Sequence, residues 1–307
     1  MSNYITTDFL NLRSRPLTGE QNVLAVMPPD TVVEDLNGNS APGWLNVKTV
    51  LGNTETQGFV SEKYLSVTTL PLPVITPLSV IPPVHYPTGG RTVNRMNINL
   101  RAYPLNEPGL VQFDLKSVAD PVERKSDIHK VIGYLDVEHS ARYAPDSKHT
   151  YCNIYAYDVA YCLGAYLPRV WWTESALAEL KEGKDVTPLY DRTITELTAN
   201  LITDWFEKYG PSFGWRRFFD LTLLQNEVNK GMSGIIVAQR INMNNSGHID
   251  AVVPETSTLS ARRSGNQVLS PLQSQAGAKN KQYYTGLNWW EDTTRFKKFG
   301  FWVNGAE

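Results

Sequence analysis

Short apolar runs alternate with polar residues and turns throughout the first 67 residues of the chain. Alternation is clear in Leu10-Asn11-Leu12 and in Trp44-Leu45-Asn46-Val47, and Pro28-Pro29-Asp30 separates two further apolar segments. A two-residue period is typical of strands that bury one face. Turn signals about every ten residues are typical of small all-β folds. The pattern therefore predicts a small β-barrel over residues 1–67.

The apolar period becomes helical in the second half of the chain. Apolar residues recur at helical spacing in segments 152–163, 173–183, 191–209 and 217–230. Asp191 is the predicted N-cap of the third segment, and Gly231 follows the fourth, where a glycine commonly ends a helix. These segments predict four helices.

Strands are predicted again after the last of these helices. The β-branched run 233–241 and the run 248–254 are separated by the turn cluster 242–247, which predicts a hairpin. A further strand is expected over residues 267–275. Helices followed by strands indicate an α+β domain.

A proline-rich stretch separates the two parts of the chain. Six prolines fall within residues 68–90. Because proline lacks an N–H donor and fixes φ, this stretch is predicted to be an extended linker without a regular ladder of hydrogen bonds. We therefore divide the chain into an all-β domain at residues 1–67, a linker at 68–90 and an α+β domain at 91–307.

Composition and charge exclude several classes of protein. The chain has 307 residues, with 29 Lys and Arg against 31 Asp and Glu. This balance does not favour nucleic acid or anionic lipid as the main partner. No apolar stretch reaches the roughly 18 residues of a membrane span, so none is expected. The N-terminus lacks the basic and apolar regions of a secretory signal, which predicts a cytoplasmic protein unless it is released or exported by another route.

Cys152 is the candidate nucleophile. With only Cys152 and Cys162 present, a disulfide scaffold and a four-thiolate zinc site are excluded. Thr150 is the predicted N-cap of a helix that begins near Tyr151, which places Cys152 in the first turn. Free N–H groups and the helix dipole there stabilise a thiolate, the attacking species of cysteine hydrolases. Cys162 lies well inside the same helix and is interpreted as a buried apolar residue.

His248 is the candidate base. It opens the second strand of the predicted hairpin directly after the turn, so a rigid element would carry the imidazole at the edge of a cleft. A third polar residue commonly orients such a histidine through its other ring nitrogen. Gln273 and Gln275 on the predicted next strand are favoured by adjacency, with Gln273 placed first, and Glu255 at the end of the His248 strand is the alternative.

Tyr151 and Asn153 flank Cys152 and are candidates for oxyanion or substrate binding, beside the backbone N–H of Cys152. Core packing for Tyr151 and a capping role for Asn153 are the alternatives. The sequence has no HExxH or CxxC motif and no glycine-rich phosphate loop, so neither a metal nor a cofactor is expected.

The N-terminal segment resembles bacterial SH3-like domains. The resemblance rests on three pieces in order: Leu10-Asn11-Leu12-Arg13-Ser14-Arg15-Pro16, Trp44-Leu45-Asn46-Val47 and Gly58-Phe59-Val60-Ser61-Glu62-Lys63-Tyr64-Leu65-Ser66. Domains of this family usually target a peptidoglycan hydrolase to the cell wall or help to position its substrate. A purely structural β-barrel is the alternative.

The larger domain resembles papain-like cysteine hydrolases of the NlpC and CHAP kinds over about residues 140–280. As in those families, a cysteine at a helix start is followed by helices and by a hairpin whose second strand opens with Gly247-His248. The passage from 224–231 into 234–238 also resembles the helix-to-strand passage before that histidine. The Asp-Cys-Ser-Gly hallmark of the NlpC group is replaced by Tyr151-Cys152-Asn153-Ile154.

Together these resemblances imply a bacterial cell-wall hydrolase, a cysteine amidase or endopeptidase that cleaves an amide bond in peptidoglycan peptides. Cys152 and His248 would carry the reaction without a cofactor, and the partner would be peptidoglycan or its stem peptides. The expected place of action is the cell wall. The alternative is a non-catalytic cell-wall-binding or structural module of a phage or secretion assembly, with Cys152 merely buried.

Overall fold

β-Strands dominate the structure and are accompanied by five α-helices within the described ranges. The computed structural model describes residues 2–19, 22–36, 41–51, 54–73, 81–286 and 288–305. Residues 74–80 of the predicted linker lie outside these ranges. The chain forms two units, Met1–Pro77 with Phe218–Asp220, and Leu78–Arg217 with Leu221–Glu307.

The first unit is an antiparallel sheet. Its strands are β1 (Asn3–Thr6), β2 (Leu10–Arg13), β3 (Val23–Met27), β4 (Val32–Asp35), β5 (Trp44–Leu51), β6 (Thr54–Ser61) and β7 (Leu65–Thr68). On β2, Leu10 and Leu12 are buried, while Asn11 and Arg13 on the other face are partly exposed, as the alternation predicts. Leu12 packs with Met27 and with residues of neighbouring strands in one apolar core.

The predicted barrel does not close. The strands follow the order β3-β2-β6-β5-β4-β1-β7, so in the described part of the chain β3 and β7 are edges that do not pair with each other. Alternation shows which face of each strand is buried. Which strands become edges depends on long-range pairing, and the alternating pattern carries no information about that.

The second unit contains the remaining strands, except that Phe218, at the end of one of them, groups with the first unit. These are β8 (Val170–Trp172), β9 (Ile194–Glu196), β10 (Trp215–Phe218), β11 (Ser233–Arg240), β12 (His248–Val252), β13 (Arg262–Ser264), β14 (Gln267–Ser270), β15 (Gln273–Gln275), β16 (Lys281–Tyr284) and β17 (Phe296–Asn304). Six of them form a sheet in the order β10-β17-β11-β12-β15-β16. The predicted hairpin is confirmed, because β11 and β12 pair antiparallel with Ala238 opposite His248. The expected strand at 267–275 is interrupted, since β14 pairs with β13 and β15 pairs with β12.

The helices of this unit are α1 (Pro121–Leu135), α2 (Cys152–Cys162), α3 (Glu174–Lys181), α4 (Ala199–Lys208) and α5 (Leu221–Asn229). The start of α2 agrees with the prediction, but its N-cap position is Tyr151 rather than Thr150. Helix α1 was not predicted, although the Asp120-Pro121 pair that begins it is a helix-start signal. Across the described ranges, no helix has both the length and the apolar character that crossing a membrane requires.

The single helix expected at 191–209 was wrong. Residues Ile194–Glu196 form β9, which pairs with β8, and α4 begins only after Thr198, whose side chain caps it. Asp191 instead occupies a turn with a φ of 57°. The expected helix at 217–230 is likewise shortened to α5, because β10 takes its first residues. In both places a strand pairing that is remote in sequence overrides the local helical period.

Helix α2 is central to the second unit. Its Ala156 and Ala160 pack with Cys152 and Ile249 in one apolar cluster. On another side, Ile154 and Tyr155 of α2 pack in a second cluster that includes Ala251. Because the helix is buried on several sides and contacts β12 through both clusters, its first residue is held firmly relative to that strand.

Residues 81–88 lack regular secondary structure but are anchored to the second unit. The Tyr166 hydroxyl accepts from the Val84 N–H at 2.9 Å and donates to the Val84 carbonyl at 3.0 Å. Trp172 Nε1 donates to the Pro82 carbonyl at 2.9 Å, and Ile81 and Val84 are buried. This segment therefore forms part of the folded unit.

Candidate active site

Cys152 is the first residue of α2 and is 3% exposed. The N–H groups at a helix start have no intrahelical acceptor, so the N–H groups of Cys152 and Asn153 are available to stabilise charge at the thiol. Together with the helix dipole they favour negative charge there. The thiol therefore lies in the environment that the sequence predicts for a nucleophile.

Cys162, at the other end of α2, is fully buried. Burial raises the pKa of the Cys162 thiol above its ordinary range, and the charge of Asp158 acts in the same direction. A thiol in this state is a poor nucleophile. Its interpretation as a buried apolar residue agrees with this environment.

His248 is the first residue of β12, and its side chain is 18% exposed. The loop before it is organised by Asn200, which is 3% exposed. The Asn200 side chain donates to the Asn245 carbonyl at 2.8 Å and accepts from the Arg240 N–H at 2.9 Å. One buried amide thus joins the start of α4 to both ends of the hairpin turn, which fixes where β12 begins.

Gly247 is required by the close approach of this turn to its neighbours. A Cβ atom there would lie 2.6 Å from the Ala238 carbonyl oxygen and 2.6 Å from Asn200 Oδ1. We expect Gly247→Ala to displace His248 and to slow alkylation of Cys152 by about tenfold or more, since loss of the base shifts a thiolate toward the thiol. The measurement is the rate of iodoacetamide labelling of Cys152, read by peptide mass spectrometry.

Gly133→Ala is the matched control for this change. Gly133 lies on α1, where an added methyl group would meet no atom within 4 Å other than those of its chain neighbours and its own helix backbone, and alanine is the better helix former there. Cys152 in the Gly133→Ala variant should be labelled at the wild-type rate. Equal labelling of the Gly247→Ala variant would show that the turn does not position the histidine.

The Cys152 thiol lies near enough to the His248 ring to help raise the pKa of His248. Burial acts to lower the pKa of His248. The charge of Asp250 and the nearby Cys152 thiol outweigh burial, so the pKa of His248 is raised well above its ordinary value. A protonated imidazole beside a thiol is the arrangement that stabilises a thiolate.

The three candidates for the orienting residue are separated by the structure. Gln275 on β15 contacts the histidine, with its Oε1 at 2.7 Å from His248 Nε2. Gln273 Oε1 lies 3.2 Å from Trp289 Nε1 and 3.3 Å from the Tyr284 hydroxyl, so it binds these two side chains rather than the imidazole. Glu255 accepts from Asn229 and from Arg263 at the far end of β12. Gln275 is therefore the candidate that the fold brings to His248.

Asp250 was not identified from the sequence. It is fully buried on β12, and its Oδ1 lies 3.1 Å from His248 Nε2. Its Oδ2 accepts from the Tyr284 hydroxyl at 2.5 Å and from Trp289 Nε1 at 2.6 Å. The signal was present, because residues two apart on a strand project from the same face and Asp250 is two residues from His248.

Tyr151 and Asn153 both use their side chains in local contacts. The Tyr151 hydroxyl donates to Asp146 at 2.5 Å, and the Arg101 guanidinium lies 3.6 Å from the centre of the Tyr151 ring. Asn153 Nδ2 donates to the Leu197 carbonyl at 2.9 Å. With both polar groups engaged, the backbone N–H groups at the start of α2 are the better placed oxyanion donors.

A cleft of about 340 Å³ opens beside the thiol. Its lining includes Tyr151, Cys152 and Asn153 from the start of α2 and Arg101, Arg169 and Glu196 from other segments. Arg169 and Glu196 form an ion pair in which the arginine side chain is 7% exposed and the glutamate side chain 37%. The cleft is thus polar and charged, and it reaches the candidate nucleophile.

Comparison of the chain with protein-family models and with curated proteins finds no match to either. The geometry of the site and the motifs of the sequence are therefore the basis for a function.

Proposed function

We propose that this chain is a cysteine hydrolase that cleaves an amide bond in peptidoglycan peptides. One observation carries the proposal: Cys152, the first residue of α2, lines an open cleft and lies near His248, the first residue of β12. A thiol at a helix start with a histidine partner is the arrangement of a nucleophile and its base. The motif resemblance to papain-like hydrolases of the NlpC and CHAP kinds supports the same reaction.

The reaction begins with the thiolate of Cys152 and the imidazolium of His248. Sγ attacks the amide carbonyl carbon, a C–S bond forms, and the carbonyl π electrons move to oxygen. The N–H groups at the start of α2 stabilise this oxyanion. When it collapses, the C–N bond breaks and the leaving amine takes the proton from His248.

Water completes the cycle. Neutral His248 accepts a proton from water as the oxygen attacks the thioester carbonyl, and the C–S bond breaks to release a carboxylic acid. The imidazolium and the thiolate are thereby regenerated. Gln275 keeps the ring oriented through Nε2 during both half-reactions, since it contacts that atom and leaves Nδ1 for the thiol.

The first unit supports the choice of substrate. Its residues 10–16, 44–47 and 58–66 resemble bacterial SH3-like domains, which accompany peptidoglycan hydrolases. We attribute to it the targeting of the enzyme to the cell wall or the positioning of its substrate.

The test is digestion of purified bacterial peptidoglycan, with soluble products identified by mass spectrometry. The untreated protein should release muropeptides whose new amino and carboxyl ends identify the amide bond. Protein alkylated at Cys152 should release none, and the position of the label is checked by peptide mapping because Cys162 is also present.

The outcome decides between the two classes of function. Products from the untreated protein alone support the hydrolase. Binding to peptidoglycan without any products would instead support a non-catalytic wall-binding module.

A further inference from the structure

The buried carboxylate of Asp250 has one oxygen fully engaged and one turned to the histidine. Oδ2 accepts two short hydrogen bonds, from the Tyr284 hydroxyl and from Trp289 Nε1. Oδ1 has no hydrogen-bond partner among the described residues, although His248 Nε2 lies 3.1 Å away. The Nε2 donor is aligned instead with Gln275 Oε1 at 2.7 Å. Oδ1 therefore interacts with the His248 ring through its charge and not through an aligned hydrogen bond.

We propose that Asp250 is a positioning residue that keeps His248 protonated and fixes its ring against Cys152, whereas Gln275 supplies only an oriented hydrogen bond. This inference deepens the proposed function, since it concerns the base of the same site. A carboxylate with no exposed surface is stable in its charged form only beside a compensating cation. The imidazolium of His248 is the group placed to compensate it.

Rigidity supports the assignment. His248 and Asp250 lie on the same face of β12, a strand held between β11 and β15. Trp289 contacts both residues, because its Nε1 donates to Asp250 and its ring meets the His248 ring at 4.5 Å between centroids and 72° between planes. The ring is thus held at its Nε2 edge by the carboxylate and by an edge-to-face contact with an aromatic side chain.

Other ionisable groups near the ring are few within the described ranges. Cys152 faces it from α2, and Tyr284 on β16 lies behind Asp250. Arg240 on β11 interacts electrostatically with Cys152. The pKa of Tyr284 is raised by burial and by Asp250, so this hydroxyl stays neutral and serves as a donor. Asp250 is therefore the anion that acts on the Nε2 edge of the His248 ring.

The first measurement is an NMR titration of the His248 ring in a Cys152→Ala background, which removes the thiol from the titration. Adding Asp250→Asn, which keeps the shape and removes the charge, should lower the pH at which the ring titrates by more than about one unit. Tyr284→Phe is the matched control, because it removes a hydrogen bond to the same carboxylate and leaves its charge. In that variant the His248 ring should titrate at the same pH as in the Cys152→Ala background, or at a higher pH.

The second measurement is the alkylation rate of Cys152 near neutral pH in proteins that keep the thiol. Asp250→Asn should slow it about tenfold or more, since less imidazolium remains to stabilise the thiolate. Should Asp250→Asn fail to fold, Gln275→Ala supplies the decisive variant. With Asp250 intact, the ring of the Gln275→Ala variant should remain protonated at neutral pH.

Two results would overturn the proposal: an unchanged titration in Asp250→Asn, or an equal fall in Gln275→Ala. A merely structural Asp250 would alter stability without moving the ring's titration. Neither measurement uses a substrate. A protein that passes both and releases no muropeptides would leave the role of Asp250 standing and refute the proposed function.

Discussion

Replacing Cys152 with alanine is expected to lower peptidoglycan hydrolysis by about 10⁴-fold or more while the fold persists. The reason is that Sγ forms the covalent bond in the proposed mechanism, and no other described side chain at the start of α2 is a nucleophile of this kind. Alanine fills most of the space at this small buried position, so the apolar cluster with Ala156 and Ile249 is largely kept. The rate is measured by release of muropeptides, and the fold by circular dichroism.

The matched control is Cys162→Ala, in the same helix. Cys162 is buried away from the cleft, so its loss should leave hydrolysis near the wild-type rate. The double variant Cys152→Ala/His248→Ala should be about as inactive as Cys152→Ala alone, because residues that act as one unit are not additive. Hydrolysis retained in Cys152→Ala would refute the thiolate mechanism.

Replacing Asp158 with alanine is expected to destabilise the second unit by about 3–5 kcal/mol. Asp158 and Arg142 form an ion pair in which neither side chain has exposed surface, with Arg142 Nε 2.6 Å from Asp158 Oδ2. Tyr143 also donates to this carboxylate at 2.9 Å. Removing the acid leaves a buried guanidinium without its counter-charge. For a unit of this size the melting temperature should fall by about 2–4 °C per kcal/mol, which calorimetry measures.

The position of the pair also links it to the cleft. Arg142 donates to the Leu100 and Tyr103 carbonyls, and so holds the segment that carries Arg101 on the cleft wall. The control is the double variant Arg142→Met/Asp158→Leu, in which both charges are replaced by apolar side chains. It should be more stable than Asp158→Ala, since no unpaired buried charge remains. Equal destabilisation would show that packing rather than charge determines the loss.

The sequence located the candidate nucleophile and the candidate base because the position of each depends on local pattern. The change from a turn to a helical period placed Cys152 at a helix start, and the Gly247-His248 pair after a turn cluster placed the histidine at a strand start. The residue that would orient His248 was harder to predict, since Gln273 and Gln275 lie on the same face of the same strand. Only the register of β15 on β12 determines which one reaches the ring.

Other features could not be predicted from the sequence because they also depend on which strands pair. The pairing of β8 with β9 joins segments more than twenty residues apart, and it ended the helix that local spacing predicted. The open edges of the first sheet likewise depend on which strands meet, and alternation does not encode that. Asp250 was within reach of the sequence, because the two-residue period of β12 alone places it beside His248.

The anchoring of residues 81–88 determines where the second unit can be separated from the first. Ile81 and Val84 fill part of its apolar core, and both backbone groups of Val84 are bonded to Tyr166. A fragment cut at residue 90, the end of the predicted linker, would expose this apolar surface and leave the Tyr166 hydroxyl and Trp172 Nε1 without their acceptors. A recombinant fragment meant to fold alone must therefore start before Ile81.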